Sequence, residues 1–166
     1  PTILATSLFP AIMHSRENDK HLYMQRIQHY FDLNAGLAYL ISIPLTLTAP
    51  WIIQILFGAE YESAGPILAI HAFSSLFVFL GVARGQYLIV EKLFKISFAT
   101  VLFGAASNCA ANFILIPIYE GRGAALATIV SQAIAAYFSC IIFTQTRPIF
   151  SMLTKSILFI TVFRRI

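Results

Sequence analysis

Several side chains in this sequence have types and spacings that could do chemistry. The first set is Gly121-Arg122-Gly123-Ala124-Ala125, which follows the apolar run Phe113–Ile116. Strand, glycine turn and helix in that order is how a dinucleotide loop cradles a pyrophosphate on backbone N–H groups. The context fails that reading. The third glycine position is occupied by Leu126, and no Asp or Glu follows Glu120 to meet a ribose. Phe113–Ile116 also belong to an uncharged run of 24 residues, Ile96–Tyr119, too long for a strand. The glycines are instead expected to form a tight turn between two helices, with Arg122 facing lipid headgroups. His14, His21 and His29 have no carboxylate or cysteine at ligand spacing and read as part of a solvated face. Cys109 and Cys140 show neither disulfide nor zinc spacing and read as small packing residues. No catalytic residue, metal site or cofactor is predicted.

Polar residues within apolar surroundings are the stronger candidates. Arg84 lies seven residues before Glu91, ~10 Å of helix, inside an otherwise uncharged stretch. A cation that deep is a functional candidate, because leaving water is costly unless something compensates. Two roles are open: a bidentate donor to a phosphate, or snorkelling to the headgroups. Gly104, Ser107, Asn108, Ala111 and Asn112 share one helical stripe, as do Ala124, Thr128, Ser131, Gln132, Ala135 and Ser139. Small residues let helices approach closely, and amides and hydroxyls bond across the gap. Asn108, Asn112 and Gln132 therefore mark a packing seam or the lining of a polar cavity. Pro44 and Pro50 interrupt a third apolar segment and read as a hinge or as static kinks.

The elements that position these residues follow from charge spacing. The chain is 58% apolar and 11% charged, against about 25% charged in ordinary soluble domains. Uncharged runs cover Leu33–Ala59 (27 residues), Ser63–Ala83 (21), Ile96–Tyr119 (24) and Gly123–Thr146 (24). About 20 apolar residues in a helix cross a ~30 Å hydrocarbon core. Four spans are predicted, at about 33–57, 66–90, 96–117 and 122–144, within a helical domain of residues 1–144. Residues 1–13 read as the end of a further span, and the chain as a fragment of a longer multispanning protein. The fold class is all-α, a polytopic membrane helix bundle.

Lys and Arg accumulate in cytoplasmic loops. The five successive non-spanning segments carry 3, 0, 2, 1 and 2 of them, so alternate segments are expected inside. Residues 14–32 place Tyr23, Ile27, Tyr30 and Phe31 on one face, with charges elsewhere. That pattern fits an amphipathic cytoplasmic elbow or an ordinary loop. Ile149–Phe163 is apolar apart from Lys155, with Arg164-Arg165 after it, and residues 145–166 are expected to form an interfacial or truncated helix. No Asp or Glu falls within the predicted spans.

Leu56-Phe57-Gly58-Ala59-Glu60-Tyr61, followed by Ala64, Pro66, Ile67 and Leu68, resembles a signature of bacterial polysaccharide flippases. These are the O-antigen-type members of the multidrug/oligosaccharidyl-lipid/polysaccharide exporter superfamily. Asn108, Asn112, Ile114-Leu115-Ile116-Pro117, Gly121, Gly123-Ala124-Ala125 and Thr128 resemble a second pattern of that family. The resemblance runs from about Leu4 to Thr144 and corresponds to most of the C-terminal lobe. It implies part of one lobe of a two-lobe flippase fold in the bacterial inner membrane. The implied function is not enzymatic: alternating access would move an undecaprenyl-pyrophosphate-linked oligosaccharide outward for O-antigen or surface polysaccharide synthesis. The implied partners are that lipid-linked substrate, membrane lipids and the N-terminal lobe of the same protein, with no nucleic acid. Arg84 is the residue proposed for the cationic cavity such proteins have, on its depth alone. The alternatives are a related multidrug or lipid II exporter, and a nonfunctional truncated fragment.

Overall fold

Residues 2–158 are described by a computed structural model, which is helical with no strand among them. Three helical stretches are long and apolar enough to cross a membrane: Lys20–Phe57, Ala64–Val90 and Phe94–Ile142, the last interrupted at Glu120. The elements are α1 (Thr2–Asn18), α2 (Lys20–Phe57), α3 (Ala64–Val90), α4 (Phe94–Ala133), α5 (Ser139–Ile142) and α6 (Arg147–Ile157). Residues 159–166, including Arg164-Arg165, lie outside the described residues.

Local chemistry explains the breaks. The Asp19 side chain accepts from the N–H groups of His21 and Leu22, ending α1 and capping α2. Gly58 closes α2 at φ +87°, ψ 176°, a conformation essentially reserved for glycine. Glu120 interrupts α4 with φ 51°, ψ −129°. The chain reverses there, so residues 94–119 and 121–133 form two antiparallel limbs. Gly104 faces Ala135, Asn108 bonds Ser131, and Gly123 lies on the backbone of Leu115. A Cβ on Gly123 would collide with the Leu115 carbonyl. This close approach is why glycine begins Gly-Ala-Ala at the turn. A π-helical turn, Ile134–Phe138, then joins the second limb to α5.

Helices α2 and α3 are antiparallel, with one register along their length. Tyr23 bonds Glu91, Thr46 bonds the Ala69 carbonyl, and Gly65 packs on Pro50. One end of the bundle gathers Arg16, Lys20, Lys92 and Lys95 and is called the basic end. The other gathers Gly58, Gly65 and Gly121, the last against Ile67, and is called the glycine end.

Two expectations change here. The proposed elbow is not separate from the span that follows, because α2 is unbroken from Lys20 to Phe57. Its apolar stripe faces protein: Tyr23, Ile27, Tyr30 and Phe31 are all buried in the core with Leu80, Leu88 and Leu153. The Asp19 cap starts α2 early, and the stripe is then covered by α3 and α6. In the C-terminal region, α6 buries Ile149, Met152, Leu153 and Ser156. It runs parallel to α2, with Gln28 bonding Met152 and Ser156, and Tyr39 bonding the Ile157 carbonyl.

Candidate functional site

The two limbs of α4 and α5 enclose a polar seam. Thr100 and Ser139 stand at its basic end, Gly104 and Ala135 next, then Asn108 and Ser131. These pairs repeat because both stripes recur every four residues. The Asn108 amide donates to Ser131 Oγ at 3.0 Å, and the Asn112 amide donates to Asn108 Oδ1 at 2.9 Å. Ser131 and Thr128 return their hydroxyls to carbonyls one turn back, so no hydroxyl competes for those amides. A groove of about 420 Å³ opens along the seam, lined by Gly104, Asn108, Thr128, Ser131, Gln132 and Ala135 among others. Asn108 and Gln132 line this groove, Asn112 bonds Asn108, and all three are half-buried.

Arg84 caps this seam from α3. It is 5% exposed. Its guanidinium donates to Ser139 Oγ at 2.7 Å and to Thr100 Oγ1 at 2.8 Å. Those two hydroxyls belong to different helices, and the π-helical turn just before Ser139 sets the rotation of α5. Arg84 therefore does not snorkel. Its Nε has no hydrogen-bond partner, and no salt bridge reaches it among the described residues. The guanidinium is therefore a buried cation held by neutral groups. Such a site is electrostatically incomplete and favours an arriving anion. From Thr100 to Asn108 is eight residues, ~12 Å of helix, so cation and amides lie along one line.

The other predicted positions fall elsewhere. Pro44 and Pro50 lie within unbroken α2. Thr48 hydrogen-bonds the Pro44 carbonyl, and Pro50 packs against Gly65 of α3. His14, His21 and His29 are exposed, and no metal-binding group of three occurs among the described residues. Cys140 is buried, but Cys109 is exposed, so it is not a packing residue within this chain. Cys109 sits on the outer face of α4, beside Phe113.

Two polar clusters have no counterpart in the sequence reading. At the basic end, Arg16 donates Nε and Nη2 to the Glu91 carboxylate at 3.2 and 3.3 Å, and Tyr23 donates its hydroxyl at 2.7 Å. This cluster ties α1, α2 and α3. Burial opposes ionisation of Glu91, but the bonds from Arg16 and Tyr23 outweigh it and hold its carboxyl below its ordinary range.

The second cluster joins Gln28, Asp32 and Ser156. Asp32 is nine residues beyond Tyr23, ~13 Å further from the basic end. The α2–α3 register places it close to the level of Arg84. Asp32 lies one residue before the predicted span 33–57, within α2, and the α2–α3 register brings it near the level of Arg84. The i, i+4 spacings of Gln28 with Asp32 and of Met152 with Ser156 were the available signal.

Among known proteins, the chain is 32% identical over 84 residues to the capsular polysaccharide biosynthesis protein CapF of Staphylococcus aureus. The aligned part is 51% of this chain and 21% of that protein, so the chain matches about a fifth of its curated relative. This points to a relation with polysaccharide biosynthesis. No family model matches, and no solved structure matches.

Proposed function

We propose that this chain forms part of one helical lobe of a flippase that moves an undecaprenyl-pyrophosphate-linked oligosaccharide across the bacterial inner membrane. The observation that carries the proposal is Arg84: a buried cation without a carboxylate among the described residues, held by Thr100 and Ser139 one helical turn from the groove between the two limbs. Arg84 receives a pyrophosphate oxygen as that charge enters the groove. Asn108, Asn112 and Gln132 offer amide donors and acceptors to sugar hydroxyls. Pro44 and Pro50 are bending points of α2 as the lobe moves against its N-terminal partner. The local likeness to a capsular polysaccharide biosynthesis protein supports the substrate class. The protein is a transporter rather than an enzyme.

The test is complementation of a strain lacking surface polysaccharide by the full-length gene carrying Arg84→Met. Replacing a buried charge with an apolar side chain of similar length is often neutral for folding. Normal membrane abundance with lost surface polysaccharide is expected. Wild-type export from the Arg84→Met protein would refute the role. A second reading, a related exporter of cationic drugs, is favoured by the depth of Asp32. Loss of drug resistance, rather than of polysaccharide, on deleting the gene would select it.

A further inference from the structure

Two concave surfaces meet at Pro117, and neither is the groove of the polar seam. The first is a pocket of about 410 Å³ at the glycine end, lined by Ser63, Ile67, Pro117, Tyr119, Glu120 and Arg122 among others. It lies where α4 reverses, at the φ 51°, ψ −129° of Glu120. The second is an open groove of about 620 Å³ on the outer face of the first limb, lined by Cys109, Asn112, Phe113, Ile116 and Pro117. Cys109 to Pro117 is eight residues, ~12 Å of helix, so the groove runs from the pocket into the depth of the predicted span.

The two surfaces differ in chemistry. Phe113 in the groove is 84% exposed, and the Asn112 amide is already given to Asn108. The groove therefore offers hydrocarbon. The pocket offers charge: Glu120 and Arg122 are both exposed, two residues apart, and no salt bridge engages either among the described residues. A charged pocket continuous with an apolar groove fits an amphipathic molecule, its head in the one and its tail in the other. Aromatic rings gather where headgroups lie. Tyr119 lines the pocket, and at the same end the exposed rings of Phe57 and Tyr61 pack 5.9 Å apart.

Charge selects the head. Glu60 and Glu62 precede Ser63 on the adjoining loop, so three carboxylates and one guanidinium stand at this end. That balance disfavours a purely anionic head, a pyrophosphate included. A head with both an ammonium and a phosphate matches Glu120 and Arg122. The second limb starts beside Arg122, and the positive end of its dipole adds to the attraction for phosphate. A primary ammonium brings three N–H donors for carboxylate and hydroxyl acceptors, whereas a quaternary ammonium has no N–H to give.

We propose that the pocket and groove bind a bilayer phospholipid with a primary-ammonium headgroup, of the phosphatidylethanolamine kind. Glu120 accepts from its ammonium, Arg122 donates to its phosphate, and an acyl chain lies along Phe113 and Ile116. Thr100, which holds Arg84, is 17 residues from Pro117, ~25 Å of helix, so this site is separate from that cation. The lipid is a resident ligand of the α4 reversal, and the proposal stands independently of which substrate is moved.

The test uses the full-length protein purified in detergent. It is titrated with dioleoyl phosphatidylethanolamine, phosphatidylcholine or phosphatidylglycerol, and retained lipid is counted by native mass spectrometry. Wild type should retain phosphatidylethanolamine about two- to fivefold more strongly than phosphatidylcholine, the size of one exposed charged contact, and phosphatidylglycerol least. Glu120→Gln should make the first two equal. Arg122→Gln should weaken both alike, because both carry a phosphate. Lys95→Gln, at the basic end, should leave the order unchanged. Free phosphoethanolamine at matching concentration should not displace the lipid, because it has no chain for the groove. Equal retention of the three lipids by wild type, strongest retention of phosphatidylglycerol, or a preference that survives Glu120→Gln overturns the proposal. Displacement by free phosphoethanolamine shows a soluble ligand in place of the lipid and equally overturns it.

Discussion

Gly123→Ala isolates what the turn of α4 requires. A methyl group added to a helical glycine ordinarily stabilises by about 0.5–1 kcal/mol, because glycine loses more backbone freedom on folding. At Gly36 and Gly85 nothing lies within 4 Å of an added Cβ, so that gain should appear there. At Gly123 the added Cβ overlaps the Leu115 carbonyl and reaches Ile116 N at 3.0 Å. Both obstacles are backbone, which cannot rotate away as a side chain would. Overpacking costs about 1–3 kcal/mol where side chains can adjust, so the upper part of that range applies here. The expected difference between Gly123→Ala and Gly85→Ala is therefore about 3–4 kcal/mol. The assay is the midpoint of thermal unfolding of full-length protein in detergent, followed by loss of the monodisperse gel-filtration peak. For chains of 150–250 residues each kcal/mol moves the midpoint by about 2–4 °C and by less in a longer full-length protein, so a separation of several degrees is expected. Equal midpoints for the two variants would refute the close approach of the two limbs.

Three further outcomes follow from the same geometry. Glu120→Gly removes a side chain from a backbone region that L-residues avoid, and should raise the midpoint, by about 1 kcal/mol net of glycine's entropy cost. The Glu91 carboxyl titrates below its ordinary value in the folded state, so its stabilisation is complete above that value and lost as pH falls through the lowered one. Stability measured from pH 7 down to pH 3 should show an acid-side loss that Glu91→Gln abolishes, and of less than about 1 kcal/mol because the pair is partly exposed. Ser139→Ala leaves one Arg84 donor without its acceptor and should cost about 1–3 kcal/mol, whereas Ser139→Ala in an Arg84→Met background should cost little; the double-mutant cycle checks this.

The uncharged runs determined the helices, and their lengths determined that several are long enough to cross a membrane. The same runs excluded a nucleotide loop at Gly121–Gly123 before any coordinates were considered. The pairing of Asn108 with Asn112 was legible because a four-residue repeat is local: it depends only on helical pitch. The stripe of Tyr23, Ile27, Tyr30 and Phe31 was equally legible, but not what would cover it. Its burial under α3 and α6 depends on the Asp19 cap, which makes one helix of what the charges divide in two. Tertiary structure alone decided the partners of Arg84, which come from 16 and 55 residues away. It alone decided the depth of Asp32, read from the register of α2 on α3, and brought Ser156 to it across 124 residues. A sequence carries the period of each helix. It does not carry the axial offset between helices, and it is that offset that places Arg84 between two hydroxyls and Asp32 beside Gln28 and Ser156 at similar depth.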